Sequence, residues 1–307
     1  MFTNTWVFLA HSIGCVALTW IAYQVFTFIN ICFLRPAKDL KKEFGEWAVI
    51  TGATDGLGKA MALELSKKYK MKIVLISRTQ ARLDETAKEL PTESATVSID
   101  FSNFDQAARD KIKSALKDKD VGILINNVGI SYEHPMFFNE LPPERLESLV
   151  RLNIDSTNRM IQDCLPAMIE KKKGAIVNMA SGAAICSHPL YAGYSACKEY
   201  IIRLTQCLAA EYEKKGVHFQ VQYPHLVTSK LSKVKRPSLM IPSAEAFAKH
   251  AVKCIGYETE LSPYPAHYLL CGLLRQLPIQ LQNMIVMANN LPLRAKALKK
   301  AATSKTD

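Results

Sequence analysis

From Trp6 to Leu34 the chain reads WVFLAHSIGCVALTWIAYQVFTFINICFL, an apolar run with only scattered polar residues such as His11, Ser12, Gln24 and Asn30. Crossing the hydrocarbon layer takes about 20 apolar residues, and this run is longer. A cleaved signal peptide would show a basic start, a shorter apolar core and a small-residue cleavage site. No basic residue precedes this run, so a retained membrane helix is expected over residues 1–34.

Past that run the pattern alternates. Short β-branched and aliphatic stretches predict strands at 47–51 (WAVIT), 72–77 (KIVLIS), 95–100 (ATVSID), 121–126 (VGILIN), 174–180 (GAIVNMA) and 217–223 (VHFQVQY). Between them, helical stretches run from the turn after residue 51 to about Tyr69, from Gln80 to Glu89, from Phe104 to Leu116, from Pro143 to Lys171 and from Ala192 to Lys214. Strands alternating with helices predict an α/β fold, a parallel sheet covered on both faces. Continuously apolar strands fit burial from both sides, and ligands then bind beyond the strand C-termini. Residues 262–293 are apolar with scattered polar residues, prolines at 263, 265, 278 and 292, and Arg275 inside the run. They are expected to form an amphipathic lid or membrane-surface helix rather than a second span. The expected organisation is a membrane anchor (1–34), a basic juxtamembrane linker (35–45), a catalytic domain (46–260) and an apolar C-terminal segment with a basic tail (261–307).

Charge placement orients the anchor. The net charge is +11, yet residues 1–34 contain no Asp, Glu, Lys or Arg, and Arg35, Lys38, Lys41 and Lys42 follow at once. Positive residues stay on the cytosolic side, which puts residues 35 onward in the cytosol. The tail carries Arg294, Lys296, Lys299, Lys300 and Lys305 against Asp307 alone, a solvated run that would also be weakly attracted to an anionic membrane face. No zinc-finger spacing, RNP-like motif or aromatic-basic interleaving points to nucleic acid. The eight cysteines are scattered without a C-x-x-C pair, as in a protein of a reducing compartment. Cys197 is expected to serve packing.

TGATDGLGKA (51–60) joins the first strand to a helix. Gly52, Gly56 and Gly58 let this turn bend and let backbone approach a pyrophosphate, with Thr54, Asp55 and Leu57 completing the loop and the helix N-terminus facing the anion. After the first strand of a βαβ pattern the motif is specific for a dinucleotide, so the sheet is expected to be Rossmann-like and doubly wound. Some 20 residues on, where an acidic residue would bind a ribose 2′-hydroxyl, stand Ser77 and Arg78. Arginine suits a 2′-phosphate through charge-assisted hydrogen bonds, which predicts NADP(H). In YSACK (194–198), Tyr194 and Lys198 share a helix face at i and i+4. Taken alone such a pair is most often an ordinary surface pair.

Together, T-G-x-x-x-G-x-G (51–58), NNVG (126–129), NMASG (178–182) and YSACK (194–198), over about residues 46–235, resemble the short-chain dehydrogenase/reductase family in its classical arrangement. The wording of WAVITGATDGLGKA, VGILINNVGISYEHP and VTSKLSKVKRPS resembles its membrane-bound branch of very-long-chain 3-oxoacyl-CoA reductases and 17β-hydroxysteroid dehydrogenases. The resemblance implies that Tyr194 is the acid/base, Lys198 lowers its pKa and holds the nicotinamide ribose, Ser181 orients the carbonyl, and Asn153 holds a relay water. It also implies that Asn126 braces the central strands beside the cofactor and that Asp100 contacts the adenine. Two positions depart from the family. Ala180 replaces the first serine of the usual pair, and His225 follows Pro224 where the family often has glycine. His188, six residues before Tyr194, is expected to be a surface loop histidine, with a place at the substrate entrance as the alternative. The activity implied is NADPH-dependent reduction of a 3-oxoacyl-CoA in fatty-acid elongation at the cytosolic face of the endoplasmic reticulum, by a homodimer working with other elongation enzymes. The alternatives are a 17β-hydroxysteroid or other lipid-ketone dehydrogenase and, from another class, a non-catalytic membrane or lipid-droplet scaffold.

Overall fold

The computed structural model describes residues 2–303; Lys305 and Asp307 of the basic tail lie outside the described residues. It divides into two compact units, one ending at Ala37 and one beginning at Lys38. The first unit is helix α1 (Phe2–Ile29), continued by a π-turn over Asn30–Leu34. Thr5–Leu34 is long and apolar enough to cross a membrane. Three of its polar side chains turn back onto its own backbone. The His11 ring pairs with the Val7 carbonyl (2.7 Å), and Ser12 and Thr19 donate to the carbonyls of Phe8 (3.0 Å) and Cys15 (2.8 Å). Such local bonds satisfy polar groups that lipid cannot.

The second unit opens with α2 (Leu40–Phe44), whose Asp39 cap accepts from the Lys42 amide. It continues as β1 (Trp47–Thr51), α3 (Gly56–Lys67), β2 (Lys72–Ser77), α4 (Gln80–Lys88), β3 (Ser94–Ser98), α5 (Gln106–Leu116) and β4 (Val121–Asn126). Then come α6 (Pro143–Val150), α7 (Ser156–Glu170), β5 (Gly174–Met179), α8 (Ala192–Tyr212), β6 (Val217–Gln222), α9 (Ala244–Lys253), β7 (Glu260–Leu261), α10 (Pro265–Gln276) and α11 (Ile279–Thr303). The strands form one sheet in the order β3-β2-β1-β4-β5-β6-β7. Every pairing is parallel. The order reverses between β1 and β4, which opens a crevice at their C-terminal ends. Side chains alternate across the sheet: Ala48 and Ile50 of β1 pack with Met61, Leu65 and Phe247 on one face, and Trp47 and Val49 with Ile112, Met160 and Phe219 on the other.

Several boundaries differ from those read in the sequence. The long helix expected from Pro143 is two helices, α6 and α7, joined by a π-turn at Arg151–Asp155. The strand expected to reach Asp100 stops at Ser98; the Ile99 amide still donates to Ser77 (2.9 Å), but the Asp100 side chain caps a 3₁₀ turn. Helix α5 starts at Gln106 rather than Phe104 because Asp105 caps it, accepting from the Ala108 amide at 2.9 Å. No linker runs to residue 45, since Leu40 and Phe44 are buried in the core. Nor does a boundary fall after residue 260, because the C-terminal segment belongs to the same unit as the sheet.

Candidate active site

The loop after β1 is shaped by close approach. Gly52 and Gly56 take φ of +66° and +52°, the left-handed region that glycine enters without cost. At Gly58 a side chain has no room, since a Cβ would lie 2.5 Å from Asn127 Nδ2 and closer still to the Gly52 carbonyl. Asn127 secures the turn, its Nδ2 donating to the carbonyls of Thr51 (3.1 Å) and Gly52 (3.2 Å). Asp55 caps α3 by accepting from the Gly56 amide at 2.7 Å and meets Arg82 (3.0 Å) and Lys230 (2.8 Å). Burial pushes its carboxyl up, but Lys230, the Gly56 amide and Arg82 together hold it below its ordinary value. Thr54 and Ser77 share a hydroxyl–hydroxyl bond of 3.0 Å. Leu57 lies in the first turn of α3, half-buried against the core.

At the end of β2 the Arg78 side chain is exposed. Asp100 binds the hydroxyl (2.7 Å) and amide (2.9 Å) of Ser102. Its carboxyl is lowered, first by the Ser102 hydroxyl, against some desolvation, and also by Ser102's amide and the charge of Arg78. Asn126, at the end of β4, donates to Asn178 Oδ1 (2.9 Å), and Asn178 donates to the Thr205 hydroxyl of α8 (2.9 Å). This buried chain ties β4, β5 and α8 together.

Tyr194 and Lys198 of α8, Ser181 after β5 and Asn153 of the π-turn come together from three separate segments. Lys198 Nζ is buried, donates to the Met179 carbonyl at 3.0 Å and stands 6.0 Å from the centre of the Tyr194 ring. A Cβ on Gly129 would lie 2.6 Å from Asn153 Oδ1 and 3.1 Å from Lys198 Nζ, so both groups converge on the bare face of that glycine. The π-turn places Asn153 there. Its Nδ2 is spent on the carbonyls of Ile130 (3.0 Å) and Leu149 (2.9 Å), while its buried Oδ1 has no protein partner. Ser181 accepts from the Ala183 amide at 3.2 Å and lies beside the Tyr194 hydroxyl.

The electrostatics correct one expectation. Burial pushes the Tyr194 phenol above its ordinary value, with only the Ser181 hydroxyl bond drawing it back. Burial pulls the Lys198 ammonium down to about 8. Desolvation of both groups, with Nζ held by a carbonyl, outweighs the lowering of the phenol expected from the lysine. Neutral phenol and protonated amine therefore coexist at neutral pH.

The remaining wall comes from the C-terminal helices. His225 packs on Gly182; its ring bonds Cys271 Sγ at 3.0 Å, and its amide donates to His267 Nδ1 at 3.3 Å. Burial, then the charges of His267 and His188, lower its imidazole to about 4. His188 is lowered by burial and its Nδ1 is buried without a protein partner. Tyr132 accepts from the Gly193 amide at 3.0 Å, fixing the start of α8 one residue before Tyr194. Cys197 is packed among Tyr132, Leu141 and Leu149, in line with a packing role. Sequence reasoning missed Asn127, Arg82, Lys230, Tyr132, His267 and Cys271. Only Asn127 had a local signal, as the second Asn of NNVG.

Residues 46–239 match the model of a family described as short chain dehydrogenase. The human very-long-chain 3-oxoacyl-CoA reductase is 40% identical over 297 residues, covering 95% of this chain and 94% of that protein. Its bovine counterpart is 39% identical over 298 residues, covering 94% and 95%. Among solved structures, a 7β-hydroxysteroid dehydrogenase aligns over 80% of this chain and 100% of its own with a TM-score of 0.70 at 21% identity. A short-chain dehydrogenase from Sphingobium yanoikuyae in complex with NADPH aligns over 68% and 83% with a TM-score of 0.60 at 22% identity. At those identities the structures speak for the fold.

Proposed function

Because this chain belongs to the short-chain dehydrogenase family, we propose that it reduces the 3-oxo group of long-chain and very-long-chain acyl-CoA with NADPH in fatty-acid elongation. The observation that carries this reading is the 40% identity to the human very-long-chain 3-oxoacyl-CoA reductase across 95% of the chain. The glycine cradle at 52–58, the convergence on Gly129 and the unpartnered Asn153 Oδ1 fit a dinucleotide. Arg78, exposed at the end of β2, fits its 2′-phosphate, with Asp100 toward the adenine. When bound, NADPH supplies the hydride. Tyr194, kept neutral by burial, donates a proton to the developing alkoxide, and the Ser181 hydroxyl donates a hydrogen bond to the same oxygen. The Lys198 ammonium stabilises the tyrosinate that remains, and Asn153 Oδ1 accepts from the water that returns a proton through Lys198. The apolar helix Thr5–Leu34 and the cations that follow it support a membrane anchor with the catalytic unit in the cytosol; the endoplasmic reticulum, a homodimer and other elongation enzymes as partners follow from the family resemblance alone.

The test is NADPH oxidation by membranes containing the protein, offered a long-chain 3-oxoacyl-CoA and, in parallel, a 17-ketosteroid. Acyl-CoA turnover is expected, with a loss of about 100-fold or more in Tyr194→Phe. Steroid turnover without acyl-CoA turnover would overturn the substrate assignment. NADPH binding without turnover of any lipid ketone would favour a scaffold.

A further inference from the structure

Helix α11 shows two contrasting faces. One is engaged: Val286 and Asn290 are buried, Asn290 donates to the Pro189 carbonyl at 3.0 Å, and Arg294 pairs with Glu140. Around the helix runs a stripe of Leu281, Met284, Ala288, Leu291, Ala295 and Leu298, spaced alternately three and four residues apart. That spacing keeps them on one side of an α-helix. Apart from half-buried Leu281 they are exposed, Met284 by 62% and Leu291 and Leu298 by 42% each. On α10, exposed Leu269 and Leu273 stand one turn apart.

The charge pattern identifies what covers the stripe. Residues 279–303 contain no Asp or Glu, and their cations are Arg294, Lys296, Lys299 and Lys300. A parallel second copy of α11 would bring the same cations against these, and an antiparallel one would set them against residues 279–293, which offer no acidic partner. A bilayer surface bearing anionic lipids answers both the apolar stripe and the lysines. The protein also carries a helix long enough to cross a membrane, so such a surface is at hand.

We propose that the exposed stripe of α11 lies in the interface of an anionic lipid surface, a membrane contact separate from the N-terminal helix. The opposite faces of α10 and α11 hold His225 and the loop at Pro189. The lipid contact and one wall of the catalytic site are thus two sides of the same two helices.

The test uses the full chain in vesicles, with a photoreactive benzophenone residue placed at Leu291 or, separately, Met284, and at exposed Glu85 of α4 as control. Illumination is expected to give lipid adducts at 291 and 284 at least tenfold above those at 85. Yield should fall several-fold in purely zwitterionic vesicles and in the Lys296→Glu, Lys299→Glu, Lys300→Glu variant. Crosslinked pairs of chains from 291 would overturn the proposal in favour of a second copy. Labelling at 291 and 284 no greater than at 85, or unaffected by lipid charge and by the lysine replacements, would overturn it as well.

Discussion

His225 packs on Gly182 so tightly that a methyl group on that glycine would overlap the imidazole ring. Gly182 directly follows Ser181, and its amide donates to the Pro224 carbonyl at 2.7 Å, so ring and turn are locked in register. In Gly182→Ala either the ring or the turn must move. Displacing Ser181 by about 1 Å costs on the order of 100-fold in turnover, and that loss is expected in kcat/KM with NADPH binding retained. Adding His225→Gly to Gly182→Ala should recover most of it, because the overlapping partner is gone. A double variant as slow as the single one would show that the ring does not set the position of Ser181.

We propose that Arg78, whose side chain is exposed at the end of β2, decides between the two dinucleotides. A hydrogen bond to a charged group contributes about 1.5–3 kcal/mol, or roughly 10- to 100-fold in affinity. Arg78→Asp is expected to lower the ratio of kcat/KM for NADPH over NADH by about that factor. The total rate with the better cofactor should change little. An unchanged ratio would move the phosphate contact elsewhere.

We propose that Lys198 sets the alkaline limit of ketone reduction. Its amine is drawn down to about 8, whereas the Tyr194 phenol is pushed above 10.0. As pH rises through 8 the lysine loses its proton first, and with it the charge that stabilises the tyrosinate. Initial rates of ketone reduction should therefore be level below that pH and fall about tenfold per unit above it. Lys198→Arg keeps its charge throughout this range. Its rate, though lower, is expected to stay level where the parent declines. If both decline alike, the limit belongs to another group.

Burial from both sides made the central strands legible: WAVIT, KIVLIS and VGILIN are continuous apolar runs and form strands over the expected residues. The glycines of 52–58 were legible because close backbone contact demands them. Asn153 was located only through family resemblance, and the π-turn that aims it was hidden inside a helical periodicity. Such a turn adds one residue and shifts the apolar phase by a single position, a slip easily read as one continuous helix. The wall of His225, His267 and Cys271 joins residues 42 and 46 positions apart, and no local pattern encodes that meeting. The two residues of β7 escaped notice for a similar reason, since β7 is defined by its pairing with β6. Helix α9 was overlooked although its Ser243 cap and the apolar positions Phe247, Ala248, Ala251 and Val252 are local signals.

The chain of Asn126, Asn178 and Thr205 links cofactor crevice to catalytic helix, and every member is buried. Thr205 also donates to the Ile201 carbonyl at 2.7 Å, which leaves its oxygen free to accept from Asn178. Asn178→Ala would strand the Asn126 amide and deprive Thr205 of that donor, and an unsatisfied buried group costs about 1–3 kcal/mol. A shift of about 2 kcal/mol should appear as a lowered denaturant midpoint with an unchanged slope. Thr205→Val leaves only the Asn178 amide stranded and is expected to cost less. Because these residues are coupled, the double variant should cost less than the sum of the two single variants. Strict additivity would mean that the three side chains do not act as one brace between the sheet and α8.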